Sequence, residues 1–231
     1  MSYRNPSPKR PRLSTTVRLG VAAVAACFIA GPLLAAPPVP ATNLPTGFTN
    51  LVGIDPKNIV AGANSLDIVT SANKSAADVA YFNVAAGYRV NITQPTVSAD
   101  VLFRVLENSP SVIYGSLSSN GGVYLVNHSG IFVGPSGQVD VARFVATTLT
   151  VRMEDFLAGR HLFVNDGSAQ NIINQGIINQ GEIRTPAGGS VYLIGSNVTN
   201  EGIITTPGGE TILAAGATVS LIDSATPGVK V

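Results

Sequence analysis

The sequence predicts an all-β protein: a right-handed parallel β-helix (solenoid) with an N-terminal β cap and a short extra-helical insertion. Three observations carry this. The composition is poor in charge (12%), rich in apolar residues (45%) and in glycine, and lacks tryptophan, which favours strands and turns over amphipathic helices. One block of residues recurs at a fixed spacing. A single charged, Met-containing stretch interrupts the β-rich pattern.

From the N-terminus, residues 1–41 read as a signal peptide, and residues 42–231 as the folded domain. Arg4, Lys9, Arg10, Arg12 and Arg18 form a basic start, and an apolar run follows from Leu19 to Ala30. Gly31-Pro32 breaks it, and small residues and prolines continue to Ala41. This is the secretory pattern, and the run is short for a membrane span. The cleavage point stays open between Ala36 and Ala41. Val24-Ala25-Ala26-Cys27 resembles a bacterial lipobox, but the apolar run continues past it. Cys27 is the only cysteine, so the body of the chain has no disulfide. Asn43 to about Ala76 is strand-rich without repetition, as expected of a cap over the first coil.

The repeat follows. Asn179-Gln180-Gly181 aligns with Asn200-Glu201-Gly202 at a spacing of 21, and Ile183, Pro186 and Gly188 then fall on Ile204, Pro207 and Gly209. Continued without a gap, the alignment sets Ser190 over Thr211, Val191 over Ile212 and Gly195 over Gly216. The same Gly-Pro-Gly spacing occurs as Gly130, Pro135 and Gly137, making these nine Gly and Pro positions the predicted structural turns. Proline fixes φ and glycine takes positive φ, so such elements turn the chain between short strands. A period near 20 suits one coil of a parallel β-helix, in which like residues stack as amide ladders and aliphatic columns. Ile172–Gly176 is echoed by Ile177–Gly181, suggesting tight coils. The stretch Arg152 to Phe163, with Met153-Glu154-Asp155-Phe156-Leu157, breaks the pattern and is the predicted insertion, a short helix or loop. A β-sandwich would need hairpin signals, and Asn120-Gly121 and Asp166-Gly167 are the few strong ones.

Charge and chemistry exclude several functions. Five of the fourteen Lys and Arg lie in the leader, so the remainder is net negative and nucleic acid is not an expected partner. No catalytic residues, cofactor or metal site are expected. At the 21-residue spacing no acid stacks on another acid, as polysaccharide-cleaving β-helices require, and Glu154, Asp155 and Asp140 are the nearest approach to a cluster. His128 and His161 lack ligand-like spacing.

The central stretch, Leu117-Ser118-Ser119-Asn120-Gly121-Gly122-Val123-Tyr124-Leu125-Val126 and Asn127-His128-Ser129-Gly130-Ile131-Phe132-Val133-Gly134, resembles the haemagglutination-activity, or two-partner secretion (TPS), domain of filamentous-haemagglutinin-like exoproteins. Ala80–Val84, Gln94-Pro95, Arg104-Val105, Ile113–Leu117, Gly137–Val141 and Asp155–Arg160 extend the resemblance over about residues 43 to 231. It departs at Asn127-His128-Ser129-Gly130, where the family usually has Asn-Pro-Asn-Gly. A second family motif, Asn-Pro-Asn-Leu, is not evident, and the chain stops at Val231 where family exoproteins usually continue. A stand-alone member and a truncated one both fit that stop.

The resemblance implies an adhesin-type module, secreted or displayed at the cell surface, that crosses the outer membrane through a TPS transporter whose periplasmic domains recognise it. Host-cell or surface glycans are further expected partners. The residues expected at the transporter contact are Asn127, His128, Ser129, Gly130 and Ile131, with Arg104. Replacing Asn127 by Ala is expected to impair export and leave the fold largely intact. The alternatives are a β-helical polysaccharide-active enzyme and a remnant of a larger exoprotein.

Overall fold

In the computed structural model, which describes residues 38–165, 176–216, 218–222 and 228–230, the chain winds into a parallel β-solenoid of about 6 turns. The leader therefore lies outside the described residues, apart from its last few positions. No helix among the described residues is long and apolar enough to cross a membrane.

The strands are β1 (Thr49–Val52), β2 (Ile54–Ala61), β3 (Ser65–Thr70), β4 (Lys74–Val79), β5 (Arg89–Thr93), β6 (Asp100–Val105), β7 (Ser111–Ile113), β8 (Ser116–Val126), β9 (Ile131–Val133) and β10 (Gln138–Thr147). Helix α1 (Met153–Leu157) and β11 (His161–Val164) follow, then β12 (Ile177–Asn179), β13 (Glu182–Arg184), β14 (Ser190–Gly195), β15 (Val198–Asn200), β16 (Ile203–Thr205), β17 (Glu210–Ala215), β18 (Thr218–Ile222) and β19 (Gly228–Lys230).

Two long strands organise the stack. The first half of β8 pairs with β5 and its second half with β6, and β10 runs parallel to all of β8. On the far side of β10, β13 and β14 pair with its two halves, and β16 and β17 stack on them. A separate sheet, β7-β9-β12-β15, closes the coil. Alternation along each strand sends Leu66, Val90, Leu117, Val139 and Ile183 inward, together with Phe103, Phe144 and Val191. Each fully buried aliphatic or aromatic side chain contributes about 1.5–3 kcal/mol.

The cap is shorter than the sequence suggests. Within residues 43–76, β1 and β2 alone are cap strands, lying antiparallel on β4 and β3, whereas β3 and β4 already pair parallel with β5 and β6 and belong to the first coil. The early coils differ in length, and that hides their repetition. The insertion is found where expected. Helix α1 and β11 lie over the outer face of β4, β6, β8 and β10, burying Phe156 and Phe163 in a cluster with Ala76, Leu102, Tyr124 and Val145. Burial there pushes the Tyr124 phenol well above its ordinary pKa, Asp100 adding to the rise. The helix is only five residues long and has no side-chain N-cap, so packing rather than propensity holds it.

The repeat is correct in its first half and wrong in its second. Asn179 lies on Asn200 and Ile183 on Ile204. Val191, however, pairs with Thr211, and Ile212 pairs with Tyr192. The turn Thr206–Gly209 is one residue shorter than Thr185–Gly189, and a one-residue slip moves every following side chain to the other face. Ser190 accordingly pairs with Glu210, and Gly195 with Ala215. Positive φ falls at Gly188 and Gly208, not at Gly209. The Gly130, Pro135, Gly137 copy is out of phase too: Gln138 pairs with Glu182 and so sets Gly137 beside Gly181, not Gly188. A Cβ on Gly181 would approach the carbonyl oxygens of Gly134 and Gly137 to 2.5 Å, so this column needs glycine for close coil approach. All nine predicted turn residues do sit between strands. Asn120-Gly121 is no hairpin; it lies within β8. Asp166-Gly167 and residues 172–175 of the local echo lie outside the described residues.

Candidate functional site

Asn127 directly follows β8 and begins the turn into β9. Its backbone carbonyl accepts a hydrogen bond from Gly130 N at 3.1 Å, and Gly130 holds φ at +113°, a turn that needs a residue without Cβ. The Asn127 side chain is 1% exposed. Its Nδ2 donates to Ser109 O (2.9 Å) and Ser111 Oγ (3.0 Å), while Oδ1 accepts from Ser129 N at 2.9 Å. One amide thus closes its own turn and ties it to the segment leading into β7.

The other four residues of the motif follow the same logic. His128 places Nδ1 3.0 Å from Thr148 O, a contact that proline could not make. Ser129 is buried, and Gly130 O accepts from Ser111 N at 3.0 Å. Ile131 is buried in the core of the coil, its N donating to Gly176 O at 3.0 Å. The motif is therefore a structural fastening. Losing the Asn127 side chain would strand buried polar groups at about 1–3 kcal/mol each, a cost that the expectation of a largely intact fold does not include.

Arg104, on β6, is brought to the same region and lines one shallow cleft with Leu106, Glu107, Asn127, His128 and Ser129. Its guanidinium grips Asp78 in a bidentate pair, Nε to Oδ1 at 2.7 Å and Nη2 to Oδ2 at 3.0 Å. Asn50 donates to the same carboxylate at 2.6 Å. Asp78 is 2% exposed; its carboxylate ties β4 to β6 through Arg104 and the cap strand β1 to β4 through Asn50. Leu106, 58% exposed, is the apolar residue this cleft offers to solvent.

Several residues of this framework were not singled out from the sequence. Asn83, fully buried, accepts from Val112 N at 2.9 Å. Asp100 collects Lys74 at 2.6 Å and Arg143 Nε at 3.1 Å, and Lys74 also lies 5.2 Å from the Phe156 ring centre. The available signal was a second coil length. Lys74 and Asp78 stand in register with Asp100 and Arg104 at a spacing of 26, which would have revealed both ion pairs. Among the described residues no group of three or more His, Cys, Asp or Glu is arranged to hold a metal.

A buried, polar-fastened turn within a parallel coil, under an antiparallel cap, is the geometry to which the comparisons speak. The family model described as the TPS secretion domain matches residues 47–230. The chain belongs to the TPS secretion domain family. A solved structure, the HMW1 secretion domain from Haemophilus influenzae, superposes with a TM-score of 0.71 at 28% identity, covering 81% of this chain and 49% of that one. Two proteins named heme/hemopexin-binding protein, also from Haemophilus influenzae, are similar: one is 29% identical over 175 residues, 66% of this chain and 19% of its own length. The other is 26% identical over 115 residues, 50% of this chain and 12% of its own length. The chain thus spans under half of the solved domain and a fifth or less of these relatives. Family and fold are those of a secretion domain, whose members are exported through the outer membrane in concert with a TPS transporter.

Proposed function

We propose that this chain is a secretion-targeting module with no catalytic role, led across the inner membrane by residues 1–41 and read by its transporter through the segment Arg104 and Asn127–Ile131. The observation that carries the reading is the burial of Asn127, Ser129 and Ile131 in the closed coil. A partner can read those side chains only before the coil closes. Recognition therefore acts on the unfolded chain in the periplasm, where an extended segment adds to a sheet of the transporter's periplasmic domains by strand pairing. Coil closure after passage then hides the recognised residues and opposes return. An adhesive role at the surface, with host-cell or surface glycans as ligands, completes the proposal.

The test separates recognition from folding. A peptide covering residues 118–136 cannot form the coil, so its binding to the transporter's periplasmic domains reports the segment itself. We expect binding that Asn127→Ala weakens at least about tenfold, equivalent to ~1.4 kcal/mol. Equal binding by both peptides, or none by either, removes the site assignment. Accumulation of the whole chain only in the periplasm when co-expressed with its barrel would count against secretion.

A further inference from the structure

The outer faces of the coils differ between the two halves of the long strands. Along β3, β5, the first halves of β8 and β10, and β13, the outward column is Asp67, Asn91, Ser118, Asp140 and Arg184, each in register with the next. All five are polar, as contact with water favours. Along β4, β6, the second halves of β8 and β10, β14 and β17, the outward column is Ala76, Leu102, Tyr124, Val145, Tyr192 and Ile212. None of these carries a charge, and Ala76, Leu102 and Val145 are fully buried. An apolar column on the outside of a solenoid needs a cover.

The cover comes from two stretches far apart in the chain. Met153 and Phe156 of α1 and Phe163 of β11 supply one part, and Val219 of β18, fully buried, supplies the other. Neither part is stable by itself. Five helical residues without a side-chain cap are too few for an isolated helix. Strand β11 has four residues; among the described residues its ladder partner is β18, and a single bridge joins Val164 to Thr150. A short ribbon of strands holds only with a packed face. The β11-β18-β19 sheet is also separate from both sheets of the coil.

We propose that β18 is a strap and that α1 and β11 are the flap it holds down. The flap stays on the apolar column while β18 is paired with it, and strap and flap open together with the coil intact. Short elements with a ladder of their own are the parts of a protein that open below the free energy of global unfolding. The strap also arrives late. The outward column from Ala76 to Val145 is complete once β10 is in place, whereas Val164 meets Thr218, 54 residues further on, and His161 meets Leu221. The domain is therefore finished only when the chain as far as Ile222 is available. Until then the strip around Tyr124 lacks part of its cover.

Amide hydrogen exchange on the full chain tests this. Val219→Asp sets a carboxylate in the apolar cluster and should release the strap. We expect exchange in α1 and β11 to quicken at least about tenfold, and exchange in β8 and β10 to stay within about twofold. The opposite variant fastens the strap: Val164→Cys with Thr218→Cys, in a chain also carrying Cys27→Ser so that no other thiol is present. Facing Cα atoms of an antiparallel pair lie about 4.5–5.5 Å apart, within disulfide reach. Oxidation should slow exchange in α1 and β11 at least about tenfold, and reductant should restore it. Unchanged exchange in α1 and β11 in either variant overturns the proposal, because the insertion then holds without β18. So does a loss of protection in β8 and β10 as large as that in α1 and β11, which would make strap and coil one cooperative unit.

Discussion

The central coils and the last coils of this solenoid are built on the same plan but held by different means. Around β6, β8 and β10, buried charges and amides fasten the stack: Asp100 is 4% and Asn127 1% exposed. Around β12 to β17, stacked glycines and a two-residue amide ladder do so, Asn179 Nδ2 donating to Asn200 Oδ1 at 2.7 Å. Neighbouring coils near the centre and cap are offset by 21, 22, 24, 26 or 27 residues, whereas the last two differ by 21 or 20. Repetition is therefore plainest where coils carry nothing unique. It fades where an anchor or an insertion must be housed.

The largest effect expected from breaking this contrast is at Asp100. Its carboxylate faces Lys74 and Arg143 and lies so close to Gly122 that a Cβ there would overlap Oδ1. Asp100→Ala leaves two cations beside a buried sheet. Removing one partner of a buried pair costs roughly 3–5 kcal/mol, and the partial exposure of Lys74 (30%) and Arg143 (28%) brings our expectation to the lower end. The matching change in the last coils, Glu182→Ala, breaks an exposed pair with Arg184 and should cost under about 1 kcal/mol. Urea unfolding of both variants decides it. Equal losses would mean that the centre is not specially fastened.

The second effect, at Asn127, is smaller because no charge is exposed. Losing the side chain strands Ser129 N and Ser109 O inside the coil, and we expect Asn127→Ala to cost about 2–3 kcal/mol. Asn127→Asp keeps the Oδ1 acceptor but turns a donor toward Ser109 O into a repelling oxygen. It should destabilise at least as much at neutral pH and recover in part once acid protonates the carboxyl. A stability independent of pH for that variant would mean that the amide's donor is unimportant.

The fold was legible because a β-solenoid writes its period into the sequence wherever like stacks on like, and the Asn179/Asn200 and Ile183/Ile204 columns are such places. The insertion was legible as a break in that pattern. Two things were not. The shorter turn before β17 lacks one residue between its proline and its glycine pair, the position of Ala187, and this shows only once the register of β17 on β14 is seen. The depth of the Asn127–Ile131 motif was hidden because polar residues read as surface. The fold alone brings Ser109 and Ser111 to that side-chain amide and Thr147 O to the backbone N–H of the same residue. The family motif thus drew attention to residues whose packing the sequence alone does not show.

The smallest effect sharpens the comparison within the last coils themselves. Asn179 and Asn200 occupy equivalent positions, one coil apart, and a sequence reading gives them one role. Their surroundings differ: Asn179 is fully buried, while Asn200 is exposed at the end of the stack. Asn179 Oδ1 also accepts from Gly181 N at 3.1 Å, closing its turn as Asn127 does, whereas Asn200 Nδ2 reaches only Gly202 O at 3.3 Å. Asn179→Ala should therefore cost about 1–2 kcal/mol by leaving a buried N–H unpaired. Asn200→Ala should stay within about 0.5 kcal/mol, since water replaces what it loses. Thermal unfolding of the two variants reads the difference directly. Equal losses would mean that the closing of its own turn by Asn179 adds nothing to the rung the two residues share.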